Sequence, residues 1–162
     1  MSNISQTSRR RRPPSRKPPE LVLSVQYGVD EGALPSRPRL RTWAKAALID
    51  DARVTLRLVG AREGRSLNKT YRGRDYATNV LSFAYPEFTP LAGDIVLCAP
   101  VIAKEARAQR KPLEAHYAHL VVHGMLHLQG LDHESNSEAK AMEARETEIV
   151  IGLGYADPYE IR

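Results

Sequence analysis

The chain has 162 residues, 42% of them hydrophobic, and a single cysteine, Cys98. That length supports one domain with its own core, and one cysteine excludes an internal disulfide framework. No run approaches the roughly 20 apolar residues of a membrane-spanning helix, and prolines and further charges follow the first basic cluster where a secretory signal would need an apolar segment. A cytoplasmic protein in a reducing setting is expected.

The net charge of +5 resides in the first twenty residues, which hold six Lys/Arg and one acid, Glu20. Residues 21–162 hold 18 groups of each sign. Within them the basic groups concentrate in 37–74 and the acids in 75–162. On charge alone, solvated helix faces explain that split better than a nucleic-acid surface.

Pro13, Pro14, Pro18 and Pro19 among Ser, Arg and Lys cannot bury a core, so residues 1–20 are expected to form a disordered tail and residues 21–162 the domain. LVLSVQY (21–27) alternates as a strand, RLRTWAKAALID (39–50) has helical spacing, and ARVTLRLVG (52–60) alternates again. AREGRSLNKTYR (61–72) reads as a short polar helix. NVLSFAY (79–85) reads as a buried strand, PEFTPLAG as a loop and DIVLC (94–98) as a short strand. Two helical segments follow, broken at Pro112, and Gly130 is placed to end the second. Ser135 and Glu138 match a capping box at the start of a last helix ending at Gly152 or Gly154. Strands early and long helices late predict an α+β domain with helices against one small mixed sheet.

All five histidines lie between His116 and His133. His123 and His127 are four apart on a predicted helix, which puts both imidazoles on one face. A straight helix cannot bring His133 to the same side, but a left-handed Gly130 lets the chain turn back toward it. Three imidazoles with an open fourth position describe a catalytic zinc site at the end of this helix, one ion per chain. His116 and His119 are expected to be non-ligands. The spacing is that of metzincin proteases, but Gly124 stands where their general-base Glu would be. A small residue there is expected to leave room near the metal for a bulkier substrate. Asp132 and Glu134 are the nearest carboxylates, the first suited to orienting a ligand and the second to a helix start.

HGMLHLQGLDH (123–133) closely resembles the signature of the YbeY family, metal-dependent single-strand endoribonucleases of bacterial ribosomal RNA maturation. LNKTYRGRDYATNVLSFAY (67–85), GDIVLC (93–98) and LGYADPY (153–159) resemble further family segments, with Leu131 where Tyr and Ala77 where Pro often stand. The resemblance covers roughly residues 21 to 160. It implies a zincin-like α+β fold, Zn²⁺ held by His123, His127 and His133, and Arg72 as a residue needed for activity. It further implies single-stranded RNA as substrate, ribosomal RNA precursors and the small subunit as partners, and roles in small-subunit 3′-end processing and ribosome quality control. In chemical terms, zinc would polarise a phosphoryl oxygen or water while a guanidinium stabilises charge building on the phosphate. Arg65, Lys69 and Arg74 are further candidate phosphate contacts; Asn68 and Ser82 read as structural. The nucleophile stays open between zinc-bound water and the substrate's 2′-hydroxyl.

Two other readings stand beside this one. A zinc hydrolase of peptides or small molecules is disfavoured by Gly124. A non-catalytic ribosome-assembly factor with a structural metal is disfavoured by the absence of a fourth protein ligand.

Overall fold

A computed structural model describes residues 17–131 and 134–160. The expectations for His133, Asp132 and the first sixteen residues lie outside the described residues. In chain order the elements are β1 (Leu21–Tyr27), α1 (Arg37–Ala46), β2 (Ala52–Val59), α2 (Ala61–Arg72), β3 (Val80–Tyr85), β4 (Leu91–Cys98), α3 (Ala99–Ala108), α4 (Leu113–Leu128) and α5 (Asn136–Gly152).

The four strands form one mixed sheet in the order β1-β2-β4-β3. β1, β2 and β4 run parallel, and β3 pairs antiparallel with β4 from Val80↔Leu97 to Tyr85↔Ala92. The α+β expectation holds. Helix α1 starts two residues earlier than its apolar spacing suggests, because Ser36 caps it: its Oγ accepts the Arg39 N–H at 3.3 Å, and Pro38 fits the first turn.

Two strand expectations change. β4 begins at Leu91, inside the segment read as a loop, because pairing with β2 and β3 on both sides overrides the turn signal of Gly93. β3 is an edge strand and not a buried one: Leu81 is buried, while Ala84 and Tyr85 are exposed. Its apolar run serves the face where Leu81, Val96, Cys98 and Val59 meet Leu67 of α2.

The opposite face of the sheet carries the main core. Val54, Leu56 and Leu58 of β2 and Ile95 and Leu97 of β4 pack with Leu40 and Trp43 of α1 and with Val121, Val122 and Met125 of α4. Full burial of such side chains stabilises the fold by about 1.5–3 kcal/mol each. Helix α4 is apolar nearly all round, as a helix enclosed by the sheet, α1, α3 and α5 must be. A helix so fixed is a rigid carrier for the histidines at its C-terminal end.

Candidate metal centre

His123 and His127 project from one side of α4 with their rings stacked, centroids 6.4 Å apart and planes within 5°. His123 is half-buried and His127 exposed. Just past His127 the helix closes in a Schellman turn: the Gly130 N–H donates to the His127 carbonyl at 3.0 Å and the Leu131 N–H to that of Leu126 at 3.0 Å. Gly130 has φ of 104°, a left-handed conformation that favours glycine. The expected turn is therefore present, and the chain leaves α4 immediately before the segment that carries His133. Glu134 is exposed ahead of α5, where Ser135 and Glu138 form the expected capping box.

Behind the histidines lies a carboxylate. Glu146 of α5 is fully buried, with 0% exposure. One of its oxygens accepts from His123 Nδ1 at 2.7 Å; the other accepts from His119 Nε2 at 2.8 Å and from the Tyr159 hydroxyl. Burial alone would push this carboxyl up, but hydrogen bonds from His119, His123 and Tyr159 outweigh it and hold the group at about 2. Burial and the bond to Glu146 both push the Tyr159 phenol above its ordinary range. The set is thus an ionised acceptor with three donors converging on it.

The other two α4 histidines have their Nε2 atoms on carboxylates. His119 Nε2 faces Glu146, and His116 Nε2 lies 2.8 Å from Glu105, which also accepts from Asn79 Nδ2 at 3.0 Å. Both rings are buried.

Gly124 departs from expectation. It is buried against the sheet, and a Cβ added there would lie 3.1 Å from Ile95 Cγ2 and 3.4 Å from Ser82 Oγ. The missing side chain lets α4 approach β3 and β4 closely; it does not open room for substrate.

Arg72 ends α2, beyond the edge strand from the histidine helix. Its Nη2 donates to the Ser82 carbonyl at 2.8 Å, and its Cζ sits 4.8 Å from the centre of the Phe83 ring. Ser82 thus takes Arg72 on its carbonyl while its hydroxyl faces Gly124. Arg72, Tyr71, Phe83 and Tyr85 line a cleft of about 610 Å³ whose wall also carries Asp94 and the Arg57–Glu63 ion pair. Arg65 forks onto Asp75 at 2.7 and 3.1 Å, so that acid shares the charge the sequence offered to phosphate. Asn68 is structural, buried and donating to the Tyr76 carbonyl at 2.8 Å.

The model of the Endoribonuclease YbeY family matches residues 38–154, most of the chain and, but for the first residue of α1, the elements from α1 to α5. The chain belongs to the YbeY family. Endoribonuclease YbeY of Cupriavidus necator is 60% identical over 148 residues, covering 88% of this chain and 75% of that protein. The Azoarcus sp. protein of the same name is 58% identical over 158 residues, covering 91% and 63%. Among solved structures, TM1509 from Thermotoga maritima superposes with a TM-score of 0.53 at 26% identity, covering 86% of this chain and 99% of that one.

Sequence reasoning passed over Glu146 and Tyr159. A signal for the first was present: Met142, Glu146 and Val150 are spaced four apart and all buried, so the acid stands on the apolar stripe of α5. An acid there needs buried partners.

Proposed function

We propose that this protein is a zinc-dependent single-strand endoribonuclease of the bacterial cytoplasm, acting in small-subunit ribosomal RNA 3′-end maturation and ribosome quality control, on a zincin-like fold. The observation that carries the reading is the pair of stacked imidazoles on α4, one of them bonded at Nδ1 to a buried carboxylate. That donor set suits zinc: neutral imidazoles are its common ligands, and a carboxylate on the second ring nitrogen is the usual support for such a ligand. His123 and His127 would hold the ion, with His133 as the third ligand. Zinc bound there would supply a Lewis acid for a phosphoryl oxygen or water.

The remaining work falls to the chain's own side chains. Among the described residues, the recorded partners of Arg72 are the carbonyls of Ser82 and Tyr71 and the Phe83 ring. These neutral partners leave its positive charge for a phosphate, which it would orient and whose added negative charge it would stabilise. Tyr71 is 60% exposed and meets Phe83 edge-on at 5.5 Å. An exposed aromatic face beside a guanidinium suits an unpaired base, which every nucleotide of a single strand can offer. This supports single-stranded RNA over a duplex.

The test is incubation of zinc-loaded protein with a single-stranded RNA, wild type beside His127→Ala, with analysis of the product ends. Cleavage by the wild type alone is expected. A 2′,3′-cyclic phosphate end would identify the 2′-hydroxyl as nucleophile, and a 3′-hydroxyl with a 5′-phosphate would identify water. Equal cleavage by both proteins would overturn the zinc-site reading, and no cleavage by either would leave the assembly-factor reading in its place.

A further inference from the structure

We propose that Glu146 is the positioning residue of the metal centre, and that the closing segment of the chain, through Tyr159, holds it in that role. The inference rests on the reading of His123 as a metal ligand.

An ionised carboxylate can only accept hydrogen bonds. His123 Nδ1 and His119 Nε2, at 2.7 and 2.8 Å from its two oxygens, must therefore both carry protons. A neutral imidazole has one N–H, so the two neighbouring histidines are held in opposite tautomers by one side chain. His123 keeps its lone pair on Nε2. His119 keeps its own on Nδ1, a buried atom with no hydrogen-bond partner among the described residues. A metal ligand must offer a lone pair. Glu146 thus decides which register of the histidine stripe presents an outward Nε2: 123 with 127, and not 119 with 123.

Glu146 is in turn braced from the C-terminal segment. The Tyr159 hydroxyl donates to the oxygen that His119 also uses, and the Tyr159 ring stands edge-on to His119 with centroids 5.1 Å apart at 81°. Two bonds fix the segment: Asp157 Oδ1 accepts the Tyr159 N–H at 2.8 Å, and Lys111 Nζ donates to the Pro158 carbonyl at 2.7 Å. LGYADPY, which the histidine constellation left without a part, so becomes the outer wall of the ligand's support. Losing the Tyr159 hydroxyl would leave Glu146 its two imidazole partners, whereas losing the carboxylate would remove the acceptor that holds a proton on His123 Nδ1.

The experiment uses the full chain as wild type, Glu146→Gln and Tyr159→Phe, each checked for fold by circular dichroism. A carboxamide has one acceptor oxygen and an NH₂ group, so Gln cannot accept from both histidines. Zinc affinity is measured by competition with a chromophoric chelator, and the His123 tautomer by long-range ¹⁵N–¹H spectra of the metal-free protein. Glu146→Gln is expected to bind zinc about 10- to 100-fold more weakly and to lose the single Nδ1–H form of His123. Tyr159→Phe is expected to show a smaller loss of the same kind. Glu146→Gln that keeps both the tautomer and the zinc affinity of the wild type would overturn the inference while leaving the ligand reading standing. Should Glu146→Gln fail to fold, wild-type spectra that place the His123 proton on Nε2 would overturn it. Wild-type protein that takes up no zinc would remove the ligand reading, and this inference with it.

Discussion

Arg72 and Ser82 join the two halves of the candidate site: the guanidinium donates to the Ser82 carbonyl at 2.8 Å, and the hydroxyl of the same serine faces Gly124, which lies between His123 and His127 on α4. The edge strand β3 thereby sets the distance between a cationic group and the histidine pair. Arg72→Ala should lower kcat/KM on a single-stranded RNA oligonucleotide by about 10²- to 10³-fold, the scale for removing one group that stabilises transition-state charge. Arg72 is exposed, so thermal unfolding should move little, by about 0.5 kcal/mol or less. Arg72→Lys keeps the charge but loses the planar fork and should recover only part of the rate. Unchanged cleavage in Arg72→Ala would remove the residue from the site.

Metal analysis provides a second check. Wild-type protein purified without chelator should carry about one zinc per chain and His127→Ala close to none. Because an ion that binds only the native state adds RT ln(1 + [L]/Kd), free zinc at 1,000 times Kd should raise wild-type stability by about 4 kcal/mol. His127→Ala should show little of that rise, as measured by thermal denaturation with and without chelator. An equal rise in both would mean that the ion sits elsewhere.

Local chemistry made much of this legible in the sequence. The period-2 runs of β1 and β2, the helical stripe of α4, the Ser135–Glu138 box and the left-handed Gly130 each depend on residues within a few positions of one another. The same holds for the four-residue spacing of His123 and His127. What stayed hidden depends on distant pairing. Glu146 meets His123 across 23 positions and Tyr159 meets His119 across 40. Which strand lies at the edge is a property of sheet order, so the apolar composition of β3 suggested burial while its place beside β4 alone left Tyr85 in solvent. Gly124 was misread for the same reason, since nothing near it in the chain announces Ile95.

That packing gives a prediction against the protease analogy. Gly124→Glu would complete the protease motif, yet it drives a carboxylate against Ile95, a fully buried residue of a strand paired on both sides. An overpacked core site costs about 1–3 kcal/mol, and an unpaired buried charge adds several more. The variant should unfold at markedly lower denaturant or fail to fold, and should show no peptidase activity. Gly124→Ala tests the smaller step: a gain of about 1 kcal/mol in helix propensity is set against Ile95 Cγ2 at 3.1 Å. Ile95 is fully buried and its Cγ2 sits on a branched β-carbon with little room to turn, so the contact should win and Tm should fall. A Gly124→Glu protein as stable as wild type would show that α4 does not press on the sheet there.

His116 gives the last prediction, on stability against pH. Its ring is buried, and burial pushes its pKa below the ordinary value of 6.5, with Glu105 pulling the other way and Lys111 and His119 adding to the depression. The native state therefore binds fewer protons at this group than the unfolded chain does. The stability linked to the neutral ring is fully present above about pH 6.5 and is lost as pH falls from there toward the native pKa, with a slope of at most about 1.4 kcal/mol per pH unit. His116→Gln removes the titration while its amide N–H can still reach Glu105 Oε1, which His116 Nε2 meets at 2.8 Å. Urea unfolding of the chelator-treated proteins between pH 7 and pH 5 should show the wild type losing stability more steeply than His116→Gln, with the two curves converging toward the acid end. Curves that run parallel over that range would mean that His116 does not carry the native-state proton deficit its burial implies.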